Sequence, residues 1–334
     1  MIRSLTPATV PTMYFIGVST MQSSIMRIFP NWAEHLGLAG AQLKGIDFPL
    51  QSEPASYRTV VEFIKNDPLS AGALVTTHKI DLFRACRDLF VQVDEFGTLL
   101  EEASGISKVD GRLVAHAKDP ISSGLALDSF VPANHWKASS AEVFVIGAGG
   151  AAIAITWHLM RTGDPENRPT RLVVTDRNPE RLAEIRRIHS GFQSAIPVDY
   201  VRVATAEQND DILERIKPGS LVINATGLGK DAPGSPLTDA ATFPEKGIIW
   251  ELNYRGNLVF LGQAEMQQQT RELRIEDGWV YFIHGWTRVI AEVFHREIPT
   301  AGPEFERLCA IAAQSSGRDK TGNGDGASGR NLPK

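Results

Sequence analysis

"AEVFVIGAGGAAIAITWHLM", residues 141–160, decides the fold. Val143 to Ile146 are four apolar residues in a row, the mark of a strand buried on both faces. The run from Ala151 to Met160 then reads as a helix. Between them, Gly147 permits a tight turn, Gly149 lets backbone approach a pyrophosphate, and Ala152 allows close helix–strand packing. Ala148, Gly150 and Ala151 complete the loop and the first helical turn, where N–H groups and the macrodipole favour anions. A glycine pattern alone is weak evidence, and here both the preceding strand and the following helix are present. The stretch predicts a dinucleotide site rather than a purely structural turn.

Strand and helix signals continue on both sides. "TRLVVTDRN" (170–178), "YVRVATA" (200–206), "GSLVINATGLG" (219–229) and "GIIWELNY" (247–254) read as strands. "PERLAEIRRIHSG" (179–191) and "DDILERIK" (210–217) read as the helices between them. Upstream, "MYFIGVS" (13–19), "AQLKGIDFPL" (41–50) and "AGALVTTHK" (71–79) are strands alternating with the helical "SIMRIFPNWAEHLGL" (24–38), "SYRTVVEFIKND" (56–67) and "IDLFRACRDLF" (80–90). Such alternation implies an α/β fold, with parallel sheets covered by helices. The boundary between two such domains falls near residue 120.

Composition agrees. A chain of 334 residues is too long for one ordinary core and suits two domains. With 43% hydrophobic and 22% charged residues it reads as globular and soluble, and no apolar stretch is long enough to span a bilayer. A net charge of −5 supplies no basic stripe for nucleic acid. Cys86 and Cys309 form neither a disulfide framework nor a metal spacing, which fits a reducing cytoplasm. The histidines, His78 and His284 among them, show no metal-ligand spacing either, and no metal is expected. Residues 315–334 are almost free of large apolar side chains and are expected to be a disordered tail.

Cofactor choice turns on "VVTDRNPERL" (173–182). Asp176 ends a strand where a carboxylate accepts hydrogen bonds from the adenosine ribose and repels a 2′-phosphate, so NAD is favoured. Arg177, next in the chain, is suited to clamp that phosphate, which keeps NADP open.

"VIGAGGAA", "VINATGLG", "VTTHK", "DGRLVAHAKD" and the helix-loop "GVSTMQSSIMRIFPNWAEHLGL" together resemble the shikimate dehydrogenase family, in colinear order from about Phe15 to about Val293. The resemblance implies a substrate domain at residues 1–119 completed by 278–314, with a C-terminal helix returning to it, and a Rossmann-type domain at 120–277. It implies oxidation of a ring hydroxyl of a shikimate- or quinate-like acid, or of another cyclic polyol. Lys79 in "VTTHK" matches the family's catalytic lysine and Asp119 in "AHAKD" its partner aspartate, facing each other across a cleft. Alone, each has a dull reading, as a solvated charge and as a turn-former before Pro120. Ala225, Thr226 and Gly227 match the lining of the nicotinamide end. A homodimer is compatible with these features.

The departures point to a different substrate. The family's carboxylate loop has two serines; Ser23 matches the first, and the second falls on Ile25. Val75 replaces a threonine, with Thr76 and Thr77 adjacent. The substrate asparagine falls on Ser104 and the late glutamine on Gly285, while Tyr254 is kept. Sites built to hydrogen-bond a substrate reject mismatched ligands by orders of magnitude. The expected ligand is therefore a cyclic hydroxy acid or polyol held by Ser23, Thr76, Ser104 and Tyr254. The rivals are an authentic shikimate or quinate dehydrogenase with compensating contacts, and a non-catalytic dinucleotide-binding regulator.

Overall fold

The computed structural model describes residues 5–38, 40–50, 52–161, 164–230 and 232–318. The chain divides into two compact units, residues 1–118 with 285–334, and residues 119–284.

The first unit opens with β1 (Thr12–Gly17), α1 (Ile25–His35), β2 (Gln42–Asp47), α2 (Pro54–Asn66), β3 (Ser70–Val75) and α3 (Lys79–Cys86). It continues with β4 (Phe90–Val93), α4 (Glu95–Leu100), β5 (Gly105–Val109) and β6 (Arg112–His116). Its sheet runs β2-β1-β3-β5-β6-β4. As the alternation of strands and helices implies, β1 pairs in parallel with β2 and β3, and β4 with β6, while β5 runs antiparallel to both β3 and β6. The cause is local. Asp110 and Gly111 both take positive φ (50° and 73°), the geometry of a two-residue hairpin turn whose twist suits the flanking strands. Tyr14, Ile16, Val60, Val61, Ile64, Val75 and Ile106 form one buried core on this sheet.

The second unit contains α5 (Asp119–Phe130), α6 (His135–Ser139), β7 (Val143–Ile146), α7 (Gly150–Arg161), β8 (Leu172–Asp176) and α8 (Pro179–Ser190). After these come β9 (Val198–Arg202), α9 (Ala206–Leu213), β10 (Leu221–Asn224), β11 (Ile248–Glu251), α10 (Val259–Arg271) and β12 (Arg274–Glu276). All six strands are parallel, in the order β12-β11-β10-β7-β8-β9. Renumbered within the unit, that is the doubly wound order of a Rossmann fold, with its switch point between β7 and β10. Burial is complete along β7 and β10, which explains why their sequences show no polar alternation.

Helix α11 (Trp279–Val293) begins in the second unit and ends in the first, and α12 (Gly302–Ser316) follows it. At its start, Tyr281 packs edge-on against Trp250, and Phe282 against Tyr254, so this turn belongs with the second unit. In the first unit Trp286 meets Phe15 with ring centroids 4.9 Å apart. There α1 buries Ile25, Ile28, Phe29 and Trp32, and the Trp32 indole N–H donates to Leu308 O at 2.9 Å. Asp119 starts α5 and so opens the second unit, one residue before the boundary read from sequence. The tail expectation is corrected at its start, because residues 315 and 316 are helical and Gly317 caps α12 at φ 82°. Residues 319–334 of that expected tail lie outside the described residues. Among the described residues no helix is long and apolar enough to cross a membrane.

One buried carboxylate ties the strand ends of the second unit together. Glu251, fully buried at the end of β11, accepts from Asn253 N–H (2.8 Å), Asn253 Nδ2 (2.7 Å) and Asn224 Nδ2 (2.7 Å). Those three donors favour the charged form, but desolvation outweighs them and pushes the carboxyl up to about 7 from its usual 4.5. The native state thus holds this proton where the unfolded chain has lost it. Stability from this group is complete below about pH 4.5 and is lost as pH rises to about 7, a change on the order of 3 kcal/mol. Urea unfolding of the wild type and Glu251→Gln, compared from pH 4.5 to 8, is expected to show this decline only in the wild type. Parallel pH dependences in the two proteins would refute it.

Candidate functional site

The glycine turn of the second unit is shaped by a backbone approach that only glycine allows. Gly147 has φ 106°, and a Cβ there would lie 2.7 Å from Ala225 O and 3.1 Å from Thr226 N. Its N–H donates to Thr175 O at 2.7 Å, and Ala225 N–H donates to Ile146 O at 2.8 Å, so the turn is pinned between β8 and β10. Gly149 has open space where a Cβ would point. Gly150 and Ala151 form the first turn of α7, whose N–H groups lack intrahelical partners by geometry. Ala152 is fully buried against the sheet. On the facing side Asn224 Oδ1 accepts from Thr226 N–H (3.1 Å) and Oγ1 (2.7 Å), and Gly227 takes φ 76°. The structure therefore gathers Gly147, Ala148, Gly149, Ala225 and Thr226 at one switch point.

Asp176 has a second duty that sequence does not reveal. Its Oδ2 accepts Ala148 N–H and its Oδ1 accepts Asn178 N–H, each at 2.8 Å. The carboxylate thus fixes the glycine turn as well as the end of β8. Beside it opens a cleft of about 160 Å³, lined by Gly147, Asp176, Arg177, Arg181, Thr205 and Thr226 among others. Its rim carries one carboxylate and two guanidinium groups, and of these Arg181 has no signal in the sequence that would single it out.

In the first unit, Lys79 is the first residue of α3, just past the C-terminal end of β3. His78 anchors it. Tyr57 Oη donates to His78 Nδ1 at 2.9 Å, and Nε2–H donates to Phe48 O at 3.1 Å. Burial pulls the His78 pKa below its ordinary value, which keeps the ring neutral and this bonding pattern in place. The Lys79 ammonium lies 3.5 Å from Glu102 Oε1; the lysine side chain is 17% exposed and the glutamate 2%. Ala103 N–H donates to Lys79 O at 3.1 Å and Val75 N–H to Ser104 O at 2.9 Å, so segment 102–104 is held against both sides of the lysine.

The predicted substrate residues separate by unit. Ser23, Thr76 and Ser104 stand in the first, and Asp119 and Tyr254 in the second. Ser23 is buried. Thr76 Oγ1 donates to Ile16 O at 3.3 Å. Ser104 Oγ accepts Lys118 N–H at 2.8 Å and donates to His116 O at 3.4 Å. Ile25 is wholly buried in the core and Val75 nearly so. The Tyr254 ring packs on Phe282 with centroids 4.4 Å apart and on Trp279 at 5.7 Å. A further charge cluster surrounds Lys118, whose ammonium pairs with Glu292 Oε1 (2.6 Å) and Asp94 Oδ2 (3.3 Å).

The chain matches no family model. It is 25% identical over 301 residues to a shikimate dehydrogenase (NADP(+)) of Methylocella silvestris, covering 90% of this chain and 96% of that protein. Among solved structures, shikimate dehydrogenase from Aquifex aeolicus superposes with TM-score 0.68 at 16% identity, covering 93% of this chain and 99% of that one. Quinate dehydrogenase from Corynebacterium glutamicum, in complex with NAD, gives 0.66 at 18% identity over 91% and 99%. A 5-ketofructose reductase from a Gluconobacter strain gives 0.65 at 15% identity over 93% and 99%. The structural matches show the fold, the sequence match covers 90% of the chain at 25% identity, and the chain is a divergent relative of the shikimate dehydrogenases.

Proposed function

We propose that this protein is a nicotinamide-dinucleotide-dependent oxidoreductase that oxidises a ring CH–OH of a small cyclic hydroxy acid or polyol. The observation that carries the reading is the glycine turn after β7, lying at the switch point of an all-parallel sheet, where α/β folds bind their ligands. The names of its relatives, shikimate dehydrogenase (NADP(+)), quinate dehydrogenase and 5-ketofructose reductase, support the reaction class. The absence of a Cβ at Gly147 and Gly149 and the cleft beside Asp176 suit a dinucleotide. Its two cysteines remain free thiols, in keeping with a cytoplasmic enzyme.

The bound dinucleotide supplies the hydride acceptor. Lys79 takes the hydroxyl proton during oxidation and returns it during reduction, the role of a positioned general base and acid. Asp119 is its partner and orients the reacting hydroxyl. Ser23, Thr76, Ser104 and Tyr254 hold the rest of the ring. Because Thr76 and Ser104 direct their hydroxyl protons at backbone carbonyls, each offers the substrate a lone pair, not a donor. Gly147, Ala148, Gly149, Gly150, Ala151, Asp176, Arg177, Ala225, Thr226 and Gly227 hold the cofactor.

Two measurements test this reading. Lys79→Ala should lower turnover by about two to four orders of magnitude while dinucleotide affinity stays nearly unchanged; near-normal turnover on the best substrate ends the assignment. For the cofactor, NAD should be preferred over NADP, because Asp176 opposes a 2′-phosphate. Asp176→Asn should narrow the preference and weaken both cofactors, since the same carboxylate braces Ala148. Steady-state kinetics with both cofactors decide it, and a wild-type preference for NADP would hand the choice to Arg177 and Arg181.

A further inference from the structure

We infer that the first unit's site selects a substrate without a carboxylate, an uncharged cyclic polyol or its ketone, and that Glu102 enforces this choice. The inference rests on the reading of Lys79 as the acid/base and narrows the substrate class given above.

Three observations in the first unit converge. The first is charge. Glu102 sits 3.5 Å from the Lys79 ammonium and is almost fully buried, so the site's lysine already has a carboxylate counter-ion built into the chain. A ring acid that places its reacting hydroxyl at Lys79 would bring its carboxylate into the field of Glu102 in a poorly solvated place, where like charges are costly. The adjacent cation, Lys118, is engaged by Glu292 and Asp94 at 2.6 and 3.3 Å, and offers no relief.

The second observation is hydrogen-bond polarity. A carboxylate is acceptor-only, whereas a ring hydroxyl both donates and accepts. Thr76 and Ser104 spend their protons on Ile16 O and His116 O, and Ser104 takes the Lys118 N–H as well. These two hydroxyls can therefore satisfy a hydroxyl donor and not a carboxylate oxygen.

The third observation is the α1 entrance. The residue after Ser24 is Ile25, which is fully buried and takes part in the hydrophobic face of α1 with Ile28, Phe29 and Trp32. It presents no polar atom that could receive a carboxylate.

Other charged groups of the first unit do not reverse the balance. Asp81 shares the first turn of α3 with Lys79, and His78 is held neutral between Tyr57 and Phe48. His116 faces Asp94 and Glu292 at 3.7 and 3.9 Å.

The test compares ligands that differ only in charge: shikimate and quinate against their carboxamides, oxidised with NAD. The wild type should show kcat/KM for the amides at least about tenfold above the acids. Glu102→Gln should shrink that ratio by about tenfold or more, the scale of one opposing charge at short range. Acid and amide share the same reacting hydroxyl, so an effect on the proton-transfer step cancels in the ratio and charge selection is what it reads. Glu102→Ala provides a second neutral variant, with thermal unfolding and NAD binding confirming that each is folded. A wild type that prefers the acids, or a ratio unmoved in both variants, overturns the inference. Lys79→Ala, run in parallel, bears on the underlying reading alone: retained turnover there sinks the acid/base role, while the Glu102 ratio still judges the selection.

Discussion

The contact on which the second unit depends is the approach of one peptide to another at Gly147 and Ala225. Two parallel strands, β7 and β10, lie side by side while their connections leave in opposite directions, so the chain must turn sharply directly above its neighbour. A Cβ at position 147 would stand 2.7 Å from Ala225 O, and no side chain fits there without moving a strand end. Everything that makes the site a site follows from that closeness. The first turn of α7 is delivered to the strand ends, Asp176 can reach Ala148, and Asn224 can brace Thr226.

The first unit solves a different problem. It holds a lysine in position at the end of a strand and keeps it from solvent without stranding its charge. A neutral histidine fixes the backbone on one side and a buried glutamate answers the ammonium on the other. A buried ion pair seldom adds net stability over an apolar alternative, so stability alone does not account for the pairing of Lys79 with Glu102. The same logic applies to Lys118 among Asp94, His116 and Glu292, where lysine and acids come from three separate segments.

The second unit is legible in the sequence because one stretch carries several independent signals: a buried strand, glycines with defined duties and a helix. The first unit is harder to read. The turn at Asp110 and Gly111 is a strong local hairpin signal, yet the surrounding strand–helix alternation masks it, and the antiparallel β5 passes for part of a parallel sheet. Glu102 is not legible at all. In "EEASG" it looks like a solvated charge beside Glu101, and only the backbone bonds from Ala103 and Ser104 to the lysine's own segment place it indoors. Asp176 is legible as a strand-end acid, but its grip on Ala148 is a long-range contact that no periodicity reports.

The division of the chain has a consequence for how it is made. The second unit is one uninterrupted segment, residues 119–284, whereas the first is written in two pieces around it. Trp32, fully buried, donates its indole proton to a carbonyl at Leu308, and Phe15 rests on Trp286. On a ribosome that adds residues one at a time, the early strands must wait through the whole of the inserted segment for these partners. The middle of the protein can thus complete its core before the beginning can, because the half that bears Lys79 needs partners that are made last.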